Sequence, residues 1–94
     1  MTNASWEDKF RLATEFLKIL AQQKPVVGRE VDEILPALDQ LKALEDPSHE
    51  RLGRESACQA KLAALMGKLS EAGMLDRMEQ ARILDIMEDI MVPL

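Results

Sequence analysis

The chain has 94 residues, 47% hydrophobic, 31% charged and only 3% aromatic, with a formal net charge of −5. That is enough chain for one small helical domain over 1–94, and the composition is that of a folded protein, not a disordered one. The negative balance argues against a general affinity for nucleic-acid phosphates, no apolar run approaches the ~20 residues of a membrane span, and one cysteine excludes an intrachain disulfide.

The opening "MTNASWEDKF" has no basic stretch followed by an apolar one, so no signal peptide is read and a cytoplasmic protein is expected. Trp6, Phe10 and Phe16 are the only aromatic residues. Leu, Ile, Met and Ala must therefore fill the interior, which suits helices better than sheets.

Ser5 as a cap, with Asp8 three residues on as an approximate capping box, predicts a first helix over 6–22. Trp6, Phe10, Ala13, Leu17 and Leu20 repeat in a four-three rhythm, which stacks them on one face. Leu12, Phe16 and Ile19 form a second row beside it, so this helix needs more than one neighbour. Pro25 and Gly28 break the pattern.

A second helix is predicted over 29–46, with Val31, Ile34, Leu35, Leu38 and Leu41 inward. Pro36 lies in its middle and removes a backbone donor, so the helix is expected to kink or split there. "DPSHE" then supplies a stop and Ser48 a new cap. The third helix is predicted over 49–72, with Leu52, Cys58, Leu62, Leu65, Met66 and Leu69 along one face and Gly73 suited to close it. Asp76 and Glu79 make a capping box for a fourth helix over 77–92, which Pro93 ends. No β-alternating run and no repeat interrupts the series. The fold expected is all-α, a small bundle of three to four helices, dimeric or bound to a partner.

The last helix contains "DIMEDIM", which stacks like on like at a spacing of four. Ile83, Leu84, Ile86, Met87, Ile90 and Met91 cover an arc of about 160°, and Arg82, Asp85, Glu88 and Asp89 cover the rest. Such an arc is too wide for a single two-helix seam. It serves either as core alone or as core plus a partner surface. A chain this short has little interior for two wide apolar arcs, and surplus apolar area becomes interface. Ile83, Met87, Ile90 and Met91 are therefore the expected protein interface, with Phe10 and Leu17 as the surface they meet. Met66, Met74 and Met78 add adaptable side chains in the same third of the chain.

Asp32, Asp39 and Asp46 fall seven apart, as do Arg54, Lys61 and Lys68. Their handedness about the apolar faces suits parallel helices, whereas a hairpin is antiparallel, so the columns read as solvated flanks. Catalytic chemistry is sparse. His49, the only histidine, opens a helix as an exposed residue, and Cys58 reads as a buried, inert thiol. Asp46 and His49 have the spacing of a helical metal pair, but Pro47 lies between them. No phosphate loop occurs, and no metal or cofactor is expected.

The reading is a protein that is not an enzyme: an adaptor, small chaperone or inhibitor binding a protein partner or itself, without nucleic acid or membrane. One alternative is an acidic regulator that competes with nucleic acid for a protein's basic surface. Another is a small helical enzyme that holds an anionic metabolite with Arg11, Arg29, Arg51 and Arg54.

Overall fold

The computed structural model describes residues 2–44 and 48–91, with side chains from Trp6 onward. Its helices are α1 (Thr2–Gln23), α2 (Gly28–Lys42), α3 (His49–Glu71) and α4 (Arg77–Asp89), with a 3-10 turn at Pro25–Val27 before α2. No strand occurs among the described residues.

Side-chain contacts between the helices fix their directions. Trp6 near the start of α1 reaches Lys42 at the end of α2, and Arg54 of α3 reaches Gln40 of α2. Gln59 of α3 donates to the Met87 carbonyl of α4, while Arg82 of α4 lies over the ring of Phe16 in α1. Each helix therefore runs antiparallel to the one before it, and α4 returns beside α1. All share one core: Phe10, Ala13, Leu17 and Leu20 from α1, Val31, Ile34, Leu38 and Leu41 from α2, Cys58, Leu62, Leu65 and Leu69 from α3, and Ile83, Ile86 and Ile90 from α4. Val27 of the 3-10 turn joins them.

The helix ends follow local chemistry. The Ser48 hydroxyl accepts from the Arg51 amide at 3.0 Å and starts α3. Gly73, with φ of 68°, lets the Met74 amide bond back to the Leu69 carbonyl at 2.8 Å and the Gly73 amide to Ser70, a Schellman closure. At the start of α4, Asp76 accepts from the Glu79 amide at 2.7 Å and Glu79 returns to the Asp76 amide. Lys24, at the end of α1, bonds both the Glu79 carboxylate and the Met74 carbonyl. That pair ties the α1 exit to the α4 entry.

Three local expectations need correction. Helix α1 begins at Thr2, so Ser5 lies within it and Asp8 instead pairs with Arg11 at 3.1 Å. Apolar periodicity starts only at Trp6 and could not register the polar turn before it. Helix α2 carries Pro36 inside it without splitting, so of the two expected outcomes the split does not occur, and it ends at Lys42, short of the predicted 46. Pro36 is exposed on the side opposite the α2 core residues, where water can reach the Asp32 carbonyl that loses its donor. Leu52 is exposed, and Arg51 and Glu55 occupy the inward positions of the first turns of α3. The expectations for Asp46, Pro47, Val92 and Pro93 lie outside the described residues.

Arg51 is 1% exposed, yet it is an arginine among aliphatic side chains. Its guanidinium sits where the C-terminal ends of α2 and α4 converge, and such ends leave backbone carbonyls without intrahelical donors. Nη1 donates to the carbonyls of Leu41 (3.1 Å) and Leu44, and Nη2 to that of Ile90 (2.6 Å). Nε lies 2.7 Å from the buried carboxylate of Glu55 one turn on, and Cζ stands 4.2 Å above the Trp6 ring. Trp6 Nε1 takes the Lys42 carbonyl at 3.1 Å. Burial pulls the guanidinium pKa below its ordinary value, and Glu55 pushes it back up.

Replacing Arg51 with Met should cost about 3–5 kcal/mol, because Glu55 and three helix-end carbonyls then lose their buried cation. Urea unfolding followed by circular dichroism measures it. The double replacement Arg51→Met, Glu55→Leu should recover part of the loss, since no lone charge then remains inside. An unchanged urea midpoint for the single variant would contradict this account.

Candidate interaction surface

The fold separates the six residues expected at an interface. Phe10, Leu17, Ile83 and Ile90 lie in the core, Met87 packs against the core from its edge, and Met91 is exposed. Helix α4 turns only the line Ile83, Ile86 and Ile90 fully inward. The rest of its wide apolar arc, Leu84 and Met91 above all, faces out. Core and exposed apolar residues thus lie on different sides of one helix.

The two flanks of α4 differ. On the α3 side, the Gln59 bond to Met87 and the Arg51 bond to Ile90 bring together the outer edges of the two helices. Leu52, Leu84 and Met91 stand exposed along that edge, and Met66 and Met87 are half-buried. The α3 half of the edge, read as Leu52, Ser56, Gln59, Ala63, Met66 and Ser70, carries no charged residue.

On the α1 side, an open groove of about 450 Å³ is lined by Phe16 of α1 and by Met78, Ala81, Arg82 and Asp85 of α4. The Arg82 guanidinium lies 5.9 Å from the Phe16 ring centre. Met78 is 84% exposed, more than any other large apolar side chain described. Leu12 and Ile19, both exposed, continue the Phe16 row at spacings of four and three along α1.

The remaining chemistry is dispersed. Arg11 pairs with Asp8 and Glu15, Arg54 with Glu50 and Gln40, and Arg51 is occupied inside the protein, so these arginines do not converge on a pocket. Among the described residues no ion pair joins Asp32 or Asp39 to Arg54, Lys61 or Lys68. Antiparallel α2 and α3 place Glu30 and Glu33, not the aspartates, in the groove that Lys61 lines. His49 is exposed at the first residue of α3. No His, Cys, Asp and Glu group suited to a metal ion occurs among the described residues, and none of the described helices is long and apolar enough to cross a membrane.

The sequence places Arg51 with Arg11, Arg29 and Arg54 as a candidate to hold an anionic metabolite, whereas it is buried. The signal that identifies it is register: positions 51, 55, 58, 62, 65 and 69 keep the four-three rhythm of the α3 core, and Arg51 and Glu55 are its polar members.

No family model matches the chain, and neither a curated protein nor a solved structure is detectably similar to it.

Cys58 is fully buried, and burial pushes its thiol pKa up, with Lys61, Arg51 and Arg54 pulling weakly the other way. A raised thiol pKa means that the unfolded chain ionises first. Stability should therefore hold below the ordinary value of 9.0 and decline as pH rises past it, and the Cys58→Ala variant should lack that component. Native Cys58 should also react with a disulfide reagent at least ~10-fold more slowly than the urea-unfolded chain, since attack needs an exposed thiolate. Equal rates would contradict its burial.

Proposed function

We propose that this all-helical chain forms a small helical bundle acting as a non-catalytic protein-interaction module, of the adaptor, small-chaperone or inhibitor kind. It works by burying apolar helix surface that its own core leaves open. The observation that carries this reading is the exposure of large apolar side chains on both flanks of α4: Leu52, Leu84 and Met91 on one, Leu12, Ile19 and Met78 on the other.

The α3/α4 edge supports self-association. Its α3 half has no charge to repel a second copy of an acidic chain. Arg77 and Glu88 lie on the outer edge of α4 about three turns apart, with Leu84 between them. A twofold axis near Leu84 sets each against its opposite in the partner, the reciprocal pattern of an isologous dimer. Methionines at Met66, Met87 and Met91 adapt to the facing surface.

Light scattering behind size exclusion, over a hundredfold concentration range, tests this. The expected result is a concentration-dependent mass near twice 10.6 kDa. Leu84→Asp and Met91→Asp, at exposed sites, should each weaken the dimer at least ~10-fold while helicity is unchanged. A wild-type chain that stays monomeric throughout, or variants that dimerise as well as it does, would overturn the α3/α4 dimer.

A further inference from the structure

We infer that the α1/α4 groove receives an amphipathic helix of another protein, whose apolar residues repeat at i, i+4 and i+7 and whose flanks carry Lys or Arg. This rests on the interaction-module reading above and adds partner chemistry for the flank opposite the dimer edge.

The floor is apolar and helical in rhythm. Phe16 lines the groove from α1 opposite Met78 and Ala81 of α4, and Leu12 and Ile19, exposed one turn to either side, extend the Phe16 row along α1 to about 10.5 Å. The Phe16–Arg82 and Lys24–Glu79 contacts fix the register, so Ile19 lies toward Met78 and Leu12 toward Asp85. A two-turn row opposite a parallel wall fits the ridge of a third helix, which offers the same spacing in return. Both walls belong to antiparallel helices tied by Lys24 at one end, so the groove exists before any partner arrives.

The rim chooses the partner. Arg82, the cation within the groove, is held over the Phe16 ring, and Lys24 is bound to Glu79 and the Met74 carbonyl. Asp85 and Asp89, on the α4 rim, make no ion pair among the described residues. The edge presented to an incoming helix is therefore anionic, on a chain of net charge −5. A second copy would bring carboxylates against carboxylates here, and an anionic membrane surface would be repelled. Basic side chains beside an apolar ridge complement both the floor and the rim.

The test uses two synthetic helical peptides with the same Leu row at i, i+4 and i+7, one flanked by lysines and one by glutamates. Each is titrated into the ¹⁵N-labelled chain. The lysine peptide should give saturable shifts centred on Leu12, Phe16, Ile19, Met78 and Asp85, with affinity that falls as salt rises. The glutamate peptide should bind at least ~10-fold more weakly. Ile19→Glu, at an exposed position, should lose ~10-fold or more in affinity for the lysine peptide, and Asp85→Lys should narrow or reverse the preference between peptides. Equal binding of both peptides, shifts centred on Leu52, Leu84 and Met91, or no binding overturns the groove assignment. A groove that fails while the α3/α4 dimer persists leaves the interaction-module reading standing. Failure of both removes both.

Discussion

Helices α2 and α4 both end against the first turn of α3, and the convergence of their C-termini is the constraint around which the rest of the molecule is arranged. Each terminus presents carbonyls without intrahelical donors and the negative end of a helix dipole. The Leu41 carbonyl also accepts from the Leu44 amide at 3.0 Å, so it is the Leu44 and Ile90 carbonyls that apolar side chains would leave without the donor Arg51 supplies. Arg51 satisfies Leu41, Leu44 and Ile90 together, and Glu55 and the Trp6 ring surround the charge it brings in. Burying a guanidinium costs several kcal/mol in lost hydration. Here that cost is offset by three carbonyls, a carboxylate and an aromatic face, several of which would otherwise be unsatisfied themselves. No lysine could make the same set of contacts, since its ammonium lacks the planar fork.

With its C-terminal end held by Arg51 and its N-terminal end by Lys24, α4 needs only a narrow apolar line to stay in place. Ile83, Ile86 and Ile90 supply it. A helix fixed mainly at its ends can leave its flanks open, and α4 does so on both sides. One flank is an edge shared with α3, uncharged on its α3 half and carrying Arg77 and Glu88 on its α4 half; the other is a groove shared with α1 and rimmed by aspartates. The different electrostatics of the two flanks follow from where the charges fall: the edge positions of α3 between Leu52 and Ser70 are uncharged and α4 adds one charge of each sign there, Arg77 and Glu88, whereas Asp85 and Asp89 both fall on the groove side.

This division bears on how a chain so short can do more than fold. Four helices of this size enclose one small core, and several apolar residues of α1 and α4, among them Leu12, Ile19, Met78 and Leu84, fall outside it. The excess is sorted into rows at helical spacing, which other helices can read. On the proposed interaction-module reading, specificity would lie in rim charges and affinity in exposed side chains such as Leu84, Ile19 and Met78.

Much of the local structure was legible in the sequence, because caps and periodicities act over one or two turns. Ser48, Asp76 with Glu79, and Gly73 mark helix ends by chemistry that needs no distant partner, and the four-three rhythm of Leu62, Leu65 and Leu69 names a buried face. Sequence left kink and split at Pro36 both open, and that α2 does not split depends on which side of the helix meets water. The role of Arg51 was not legible: its partners are backbone carbonyls 7, 10 and 39 residues away, and backbone carbonyls look alike in any sequence. The division of the α4 stripe into core and surface was likewise a tertiary outcome. Sequence by itself determined that α4 is apolar over nearly half its circumference. Only the placement of α1 and α3 on either side, set by the ends that Arg51 and Lys24 hold, decided which part of that arc is covered.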